Sequence, residues 1–287
     1  MSPDGVSVAH HEGADHSWSM AFRRPHPALS GIVAGRYCGY AERADATFRR
    51  REVANAHVTM IISFGEPLDI VEMPGTASDG RRLTSFVAGL HDGYAITEHH
   101  GRQHGLEVGL TPFGAARVLG APYEIAGECV PLDDLLGPFA TQLCDRLASA
   151  PGWAARFELI DRVLADRAAE RPDPDRAVVW AWNQLERSHG RVPVRVLAEE
   201  IGWSRRHFAS RFRSQVGLAP KPTGRVLRFR RAADLLQAGT IRSFADLAAS
   251  CGYADHSHLV REFRTLAGCT PSQFVRSQLP DSGGLSG

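Results

Sequence analysis

The chain has 287 residues, enough for two domains that each bury a core, and its formal net charge is +1. With 43% hydrophobic and 23% charged residues the composition is that of a globular protein, and no apolar run approaches the roughly 20 residues that a bilayer-spanning helix needs. Five scattered cysteines without a Cys-x-x-Cys pair exclude a disulfide framework or a structural zinc site, so we expect a reducing, cytoplasmic location.

The first half of the chain is predicted to be rich in β-strands. Residues 1–17 are dominated by Gly, Ser, Asp and His, which predicts a disordered tail. Residues 18–170 are predicted to form an effector-sensing or dimerisation domain that begins as a small barrel or sandwich. Short apolar runs between Gly, Pro and Asp turns predict its strands at residues 31–40, 57–64, 68–71, 84–90, 94–98 and 106–110.

The pattern becomes helical after Pro112. Helices are predicted at residues 114–119, 132–147 and 153–168 from apolar positions at helical spacing. The two longer helices either form a dimer surface or pack on their own barrel, and the sequence leaves both open. Residues 171–175 contain two prolines and no apolar residue, and are predicted to be a linker to a helical region at residues 176–279. Residues 280–287 are predicted to be a flexible tail.

One helical pattern occurs twice in the second half of the chain. Each copy has an apolar helix that ends at a glycine, Gly202 or Gly252, and a second helix that begins at a good N-cap residue, Ser204 or Asp255. Helix, glycine turn and helix is the helix-turn-helix signature. The fold class predicted for the whole chain is therefore α+β, with a barrel-like N-terminal domain and an all-α C-terminal domain.

The second helix of each copy is predicted to expose a basic face. Phe208 and Phe212 share one face of the first, as Leu259 and Phe263 do in the second, and polar or basic residues occupy the opposite face. Such a face suits the major groove of DNA, because Arg contacts guanine edges and phosphates. Charge is also segregated: residues 176–279 carry seventeen Lys/Arg against seven Asp/Glu, whereas residues 1–175 carry sixteen against twenty-four.

At these positions the chain resembles the AraC-type regulators of bacterial transcription. The matching residues include Leu197-Ala198, Gly202-x-Ser204, Phe212-Arg213, Gly252-Tyr253-x-Asp255-x-Ser257-His258-Leu259-x-Arg261-x-Phe263-Arg264 and Thr270-Pro271. The resemblance implies two helix-turn-helix subdomains joined by one long helix and bound to two successive major-groove segments about one helical turn apart. A weaker, cupin-like resemblance to the family's sensor domains rests on residues 86–90 and 110–115.

The chain departs from the family pattern at two places. Ser210 stands where many relatives carry Arg, which leaves base preference in that half open. Residues 221–224, Lys-Pro-Thr-Gly, lack the aromatic residue common in relatives, and the glycine is expected to fray the joining helix, which is therefore predicted to begin near Arg225.

The predicted partner is double-stranded DNA. The residues expected to contact it are Arg205, Arg206, Ser210, Arg213, Arg225, Arg228, His256, Ser257, His258, Arg261 and Arg264. Of these, Arg206, Ser257 and Arg261 are predicted to contact bases, and Arg213, Arg225, Arg228 and Arg264 phosphates. Further expected partners are a small-molecule effector, RNA polymerase and a second copy of the chain. The effector-binding residues are unknown. Because regulators of the resembled family are mostly activators, the resemblance favours activation over repression.

No catalytic residue, metal or cofactor is predicted. The histidines at positions 91, 99, 100 and 104 are interrupted by glycines and lack a spaced carboxylate, and the charged run of residues 42–51 is interpreted as a solvated turn. Two alternatives stay open. One is a cupin-like, metal-dependent enzyme domain tethered to a DNA-binding module, which bound zinc, iron or nickel would favour. The other is a regulator without an effector, which a domain without a cavity would favour.

Overall fold

A computed structural model describes residues 5–13, 16–74, 80–120, 124–277 and 285–286, and the fold is α+β as predicted. Ten strands lie within these residues. They are β1 (Ser7–Glu12), β2 (His16–Arg23), β3 (Tyr37–Glu52), β4 (Val58–Ser63), β5 (Leu68–Glu72), β6 (Arg81–Leu83), β7 (Phe86–Ala88), β8 (Ala95–Leu110), β9 (Cys129–Pro131) and β10 (Leu285–Ser286).

The helices follow the sheet in the chain. They are α1 (Pro112–Val118), α2 (Leu132–Leu136), α3 (Pro138–Ser149), α4 (Trp153–Ala169), α5 (Arg176–Arg187), α6 (Val194–Ile201), α7 (Arg205–Val216), α8 (Pro220–Gln237), α9 (Phe244–Cys251), α10 (His256–Ala267) and α11 (Pro271–Arg276). None of the helices in the described ranges is long and apolar enough to cross a bilayer.

The strands form one antiparallel sheet with the order β1-β2-β3-β8-β4-β7-β9. The two 16-residue strands β3 and β8 pair along most of their length; the other edge of β8 is shared by β4 and β5. Strands from both ends of this order, β2 through Met20 and β7 through Phe86, line one common cavity. The sheet therefore curls into a barrel-like domain, in agreement with the prediction.

Several strand predictions are confirmed and others are corrected. Strands lie where residues 57–64, 68–71 and 84–90 predict them, but residues 94–98 and 106–110 are the two ends of the single strand β8. The charged run at residues 42–51 is not a turn: it lies inside β3, which begins only at Tyr37. The run is extended because both edges of the strand are paired, with β2 and β8, and Glu42 is buried in the cavity wall.

The two predicted tails are also partly structured. Residues 7–12 form β1 and residues 16–17 begin β2, so the predicted disorder is wrong there; residues 1–4, 14 and 15 lie outside the described residues. Near the C-terminus, Leu285 and Ser286 pair with Arg51 and Arg50 of β3, and residues 278–284 and 287 are likewise outside the description.

The helix predicted at residues 132–147 is two helices. Gly137, with φ of 58°, separates α2 from α3 because this left-handed conformation suits glycine and ends α2. The apolar residues of α3 and α4, including Leu143, Leu147, Phe157 and Ile160, are buried in the core of their own chain. Of the two alternatives left open by the sequence, the structure shows these apolar stripes packed against the β-domain.

The two helix-turn-helix subdomains belong to different hydrophobic cores. The first, α6 and α7 with α5, shares one core with the β-domain: Trp182 contacts Phe113 of α1 and Phe212 of α7, with ring centroids 6.1 and 6.5 Å apart. The second, α9 to α11, forms a separate core with α8, joined by Ala54 and Leu285. The predicted linker at residues 171–175 is irregular, but Asp175 is anchored to α7 through Gln215 and Arg211.

The joining helix α8 begins at Pro220, five residues before the predicted start near Arg225. Pro220 occupies the first turn, where its missing N–H costs nothing, and the Thr223 hydroxyl donates to the Ala219 carbonyl over 3.0 Å. Gly224 does not fray the helix because its backbone packs directly on Gly190, after α5. A tertiary contact thus overrides the low helix propensity of glycine.

This glycine–glycine contact yields a stability prediction. A Cβ at Gly190 would overlap the Gly224 carbonyl oxygen, and Gly190 has φ of 71°. We expect Gly190→Ala to lower the free energy of unfolding by more than about 3 kcal/mol in urea titrations, from backbone strain plus overlap. The matched control is Gly239→Ala, at φ of 62° with open space around it, which should cost only about 1–2 kcal/mol. Equal losses in the two variants would contradict a tight contact between α5 and α8.

Candidate nucleic-acid interface and β-domain cavity

Local capping fixes the start of both second helices of the helix-turn-helix units, α7 and α10, here called the recognition helices. The Ser204 side chain accepts a hydrogen bond from the His207 amide, and Asp255 accepts one from the His258 amide over 2.7 Å. The preceding turns are held by Gly202 and Gly252, whose φ angles of 77° and 76° match almost perfectly. The two units therefore share the left-handed glycine turn and an N-cap side chain bonded to the third amide of the helix, as the repeated sequence pattern predicts.

Both recognition helices bury their apolar face and expose the predicted polar face. Phe208, Phe212, Leu259 and Phe263 have no measurable exposure. The exposed members of the predicted interface are Arg205, Arg206, Ser210, Arg213, His256, Ser257, Arg261 and Arg264. Within the described part of the chain, Arg205, Arg206, Arg261 and Arg264 form no ion pair. Their guanidinium groups are thus available to an anionic partner.

Three other predicted contacts are placed differently. Arg225 lies half-buried between two carboxylates, donating to Glu262 of α10 over 3.1 Å and to Asp92 of the β-domain over 3.3 Å. These partners raise the pKa of Arg225 against the opposing effect of burial. Arg228 is also half-buried, and the His258 ring accepts from the Ala254 amide and lies against Tyr253. A phosphate contact by Arg225 would have to compete with its two carboxylate partners.

A cavity of about 180 Å³ lies inside the curled sheet. Its wall mixes apolar and polar side chains from seven strands and from the loops between them. The apolar group includes Met20, Ile61, Leu68, Ile70, Met73 and Phe86, and the polar group includes Tyr40, Glu42, Arg50, Glu52, Asn55, His57, Thr59, Thr84, His91, Thr97, His99, Gln103 and Glu107. Apolar surface with several converging polar groups is typical of a small-molecule site.

A buried charged cluster forms one end of this wall. The Glu42 carboxylate, 6% exposed, accepts from Arg50 through both oxygens, at 3.1 and 3.3 Å. His16 Nε2 and His99 Nε2 lie 3.6 and 3.9 Å from Glu42 Oε2. Burial opposes ionisation of Glu42, but His16, Arg50 and His99 outweigh it and hold its pKa below the usual range. Burial lowers the pKa of His99, although Glu42 opposes the shift.

The cavity wall continues into the second helix-turn-helix unit. Just beyond the end of β3, the Ala54 amide donates to the carbonyl of Leu266 in α10 over 2.9 Å. Arg51 of β3 and Tyr94, next to β8, lie against Gly268, which ends α10. With the Asp92–Arg225 ion pair, these contacts connect the strands around the cavity directly to a recognition helix.

Two helix-turn-helix units with basic, exposed recognition helices define a DNA-binding transcription regulator. Residues 197–277 match the family model described as a helix-turn-helix domain. The match covers both predicted helix-turn-helix units and agrees with the resemblance of this region to AraC-type regulators. No curated protein sequence matches the chain.

Solved structures with a similar fold include the C-terminal domain of AraT, a response regulator from Geobacillus stearothermophilus. It is 19% identical, with a TM-score of 0.34 over 37% of this chain and 88% of that one. ToxT from Vibrio cholerae, solved bound to (E)-4-(8-methylnaphthalen-1-yl)but-3-enoic acid, is 9% identical, with a TM-score of 0.47 over 86% and 97% of the chains. The AraC-like transcriptional activator CuxR is 15% identical, with a TM-score of 0.29 over 82% and 87%.

Sequence reasoning missed the charged cluster in the cavity wall. The sequence places His16 in the predicted disordered tail, Glu42 in a predicted solvated turn and His99 in a histidine run without a spaced carboxylate. Alternation was the available signal, since His16-x-Trp18-x-Met20 and Cys38-x-Tyr40-x-Glu42 each place every second residue on one face of a strand. The contacts of Arg225 with Glu262 and Asp92 had no local signal at all.

The cavity histidine His57 yields a pH prediction. Burial, with Arg230 and His91 nearby, lowers its pKa from 6.5 to about 4. Between pH 6.5 and pH 4, His57 is therefore protonated in the unfolded chain but neutral in the folded chain. The free energy of unfolding is highest above pH 6.5 and decreases as the pH falls towards 4. Urea titrations at pH 7 and pH 5 measure this decrease in the free energy of unfolding. We expect the decrease to be about 1–3 kcal/mol smaller in His57→Gln than in the unmodified protein. His207→Gln, at an exposed position on α7, is the control and should leave the pH dependence unchanged.

Proposed function

We propose that this regulator binds two successive major-groove segments with α7 and α10 and responds to a small molecule in the β-domain cavity. The observation that carries the proposal is the repetition of one geometry. Both recognition helices have the same cap, the same left-handed glycine before them and an exposed basic face opposite a buried apolar pair. Two equivalent helices in one chain suit a DNA site with two half-elements about one helical turn apart.

The proposed roles follow from exposure and position along each helix. Arg206, Ser257 and Arg261 lie in the first two turns or so of their helices and are exposed, which suits contact with base edges. Arg213 and Arg264, further along, suit phosphates, and Arg205, Ser210 and His256 complete the surface. Arg225, Arg228 and His258 are proposed only as secondary contacts, because their side chains are half-buried or already have protein partners.

The effector proposal is supported by where the cavity lies. Its wall includes Glu52 and Val53, and the next residue, Ala54, donates to α10 through its backbone. A ligand that shifts β3 or β8 would therefore shift a recognition helix without any intermediate segment. Differential binding of the ligand to two such arrangements is the physical requirement for regulation.

The remaining parts of the proposal concern partners. We propose activation of transcription through RNA polymerase, action as a homodimer and a location in the bacterial cytoplasm, where the DNA is. These follow from the family resemblance.

The second candidate function is a metal-dependent enzyme. An enzyme would convert a compound that binds the cavity into a product, whereas a regulator would bind the compound and release it unchanged.

The DNA proposal is tested with two matched arginine variants. Genomic fragments that co-purify with the protein give the preferred site, and fluorescence anisotropy then measures affinity at several salt concentrations. We expect Arg261→Ala to weaken binding by about 1–3 kcal/mol and to relax base preference at one position. Arg176→Ala removes an exposed arginine from α5, outside the recognition helices, and should change affinity little. Equal effects of the two variants would mean that Arg261 contributes charge alone.

The half-site arrangement has its own test. Arg206→Ala should relax base preference in one half-element and Arg261→Ala in the other, because the two residues lie on different recognition helices. Footprinting of the preferred site with each variant assigns the half-elements. Specific recognition would be contradicted if the unmodified protein and both variants bound all DNA sequences equally, with affinity that falls steeply with salt.

The effector proposal predicts that a small molecule raises the melting temperature of the protein. A compound library is screened by thermal shift, and hits are repeated with Ile61→Trp, which adds a bulky ring to the cavity wall. A cavity ligand should lose its effect in this variant while DNA binding without the compound persists. If every hit stabilises the variant equally, the compounds bind elsewhere and the cavity is not the effector site.

A further inference from the structure

Three metal-ligating side chains converge at one end of the cavity. Nε2 of His16, a carboxylate oxygen of Glu42 and Nε2 of His99 all lie within 4.8 Å of one another. His16 comes from β2, Glu42 from β3 and His99 from β8, so the arrangement exists only when the sheet is formed. Among the described residues this is the group of His, Cys, Asp and Glu side chains with the spacing of a metal site.

Both histidine atoms lack any other partner. His16 Nε2 and His99 Nε2 are buried and make no hydrogen bond with the described residues, although a buried nitrogen usually has a partner. Each lies 3.6 to 3.9 Å from the same oxygen, Glu42 Oε2, which is too far for a good hydrogen bond. An ion held about 2.0–2.2 Å from each ligand separates its ligands by about 3–3.6 Å. The two distances to Glu42 Oε2 need to shorten by only a few tenths of an ångström, and the two histidine nitrogens lie within 4.8 Å of each other.

The surrounding residues hold the two imidazoles in place. The Phe48 ring stacks on His16 at 4.1 Å and contacts His99 at 5.5 Å between ring centroids. Phe48 follows an irregularity in the β3–β8 register between Ala44 and Phe48. Such bulges re-aim side chains and are frequent beside functional sites. The bulge thus brings an aromatic ring between two histidines that lie on different strands.

Arg50 opposes a cation here. Its guanidinium donates to both oxygens of Glu42, at 3.3 Å to Oε1 and 3.1 Å to Oε2, so its charge would be near the ion. The contact to Oε1 is compatible with a ligating Oε2, because carboxylates that bind metals are themselves hydrogen-bonded, whereas the contact to Oε2 would have to lengthen when the ion binds. Glu42 and His99 also line the cavity, which leaves one side of the site open to a water or to a bound molecule.

We propose that His16, Glu42 and His99 bind one divalent transition-metal ion, with Zn²⁺ as the reference ion. Two imidazoles and one carboxylate match the ligand preference of Zn²⁺, and three protein ligands leave a fourth position open towards the cavity. The ion would link β2, β3 and β8 across the cavity wall. The proposal goes beyond effector sensing and does not depend on DNA binding, since the ion is measured directly.

The test is Zn²⁺ binding to the full chain, measured by isothermal titration calorimetry and by metal analysis after dialysis. We expect one ion per chain, and an affinity at least about 100-fold weaker in both His99→Ala and Glu42→Gln. His100→Ala is the matched control: it removes the neighbouring, exposed histidine of the same strand and should change nothing. A His10→Ala/His11→Ala variant removes the exposed histidines of β1, and it should also bind normally.

A second measurement needs no variant, which matters because Glu42 is buried and its replacement could unfold the domain. X-ray absorption of the zinc-loaded protein should show two imidazole ligands and one carboxylate. Absence of stoichiometric binding would overturn the proposal, as would a ligand shell without histidine. Loss of binding in the His10/His11 variant with retention in His99→Ala would place the ion on the exposed strand β1 and would equally overturn it.

Discussion

The pairing of β3 with β8 is the interaction on which the rest of the molecule depends. These strands occupy the middle of the sheet, and their outer edges pair with β2 on one side and with β4 and β5 on the other. Side chains from this pair supply much of the cavity wall, and residues just beyond it contact the second helix-turn-helix unit. A single antiparallel ladder therefore supports the cavity and a recognition helix together.

Charge pairing inside the protein has two different roles. Around Glu42, Arg50 pairs with a carboxylate that burial alone would make costly, and His16 and His99 from other strands help to lower its pKa. At Arg225, carboxylates from α10 and from the β-domain meet on one guanidinium of the joining helix. The second arrangement connects three parts of the chain through a residue that the sequence predicts to contact a DNA phosphate. Loss of either carboxylate would change the orientation of α10 and the availability of Arg225 at once.

The features predicted well from the sequence were those fixed by nearby residues. Ser204 and Asp255 cap helices, and Gly202 and Gly252 end them, through interactions within four residues, so both helix-turn-helix units could be located. Strand β3 was misread because its charged residues are neutralised by partners far away in sequence. Arg50 is eight residues from Glu42, but His99 is fifty-seven residues away on another strand. No local pattern records such a pairing.

The same reasoning explains the error at the joining helix. Residues 221–224 have low helix propensity, and the sequence alone favours a late start. The helix begins at Pro220 because Gly224 fits against the backbone of Gly190, where a Cβ would overlap the Gly224 carbonyl oxygen. The glycine that lowers the helix propensity of residues 221–224 is also the residue at which the backbone of α8 packs closely on the chain after α5. The sequence alone does not indicate that two glycines thirty-four residues apart will pack against each other.

The shared core of the first helix-turn-helix unit has a consequence for dissecting the protein. Trp182 and Phe212 pack in the same core as Phe113 of the β-domain, whereas the second unit has a core of its own. A fragment cut at residues 171–175 would leave that aromatic surface uncovered and prone to aggregation in water. The two helix-turn-helix units are thus unequal: the first shares the core of the β-domain, and the second has a separate core that the β-domain joins through Ala54 and a few polar contacts.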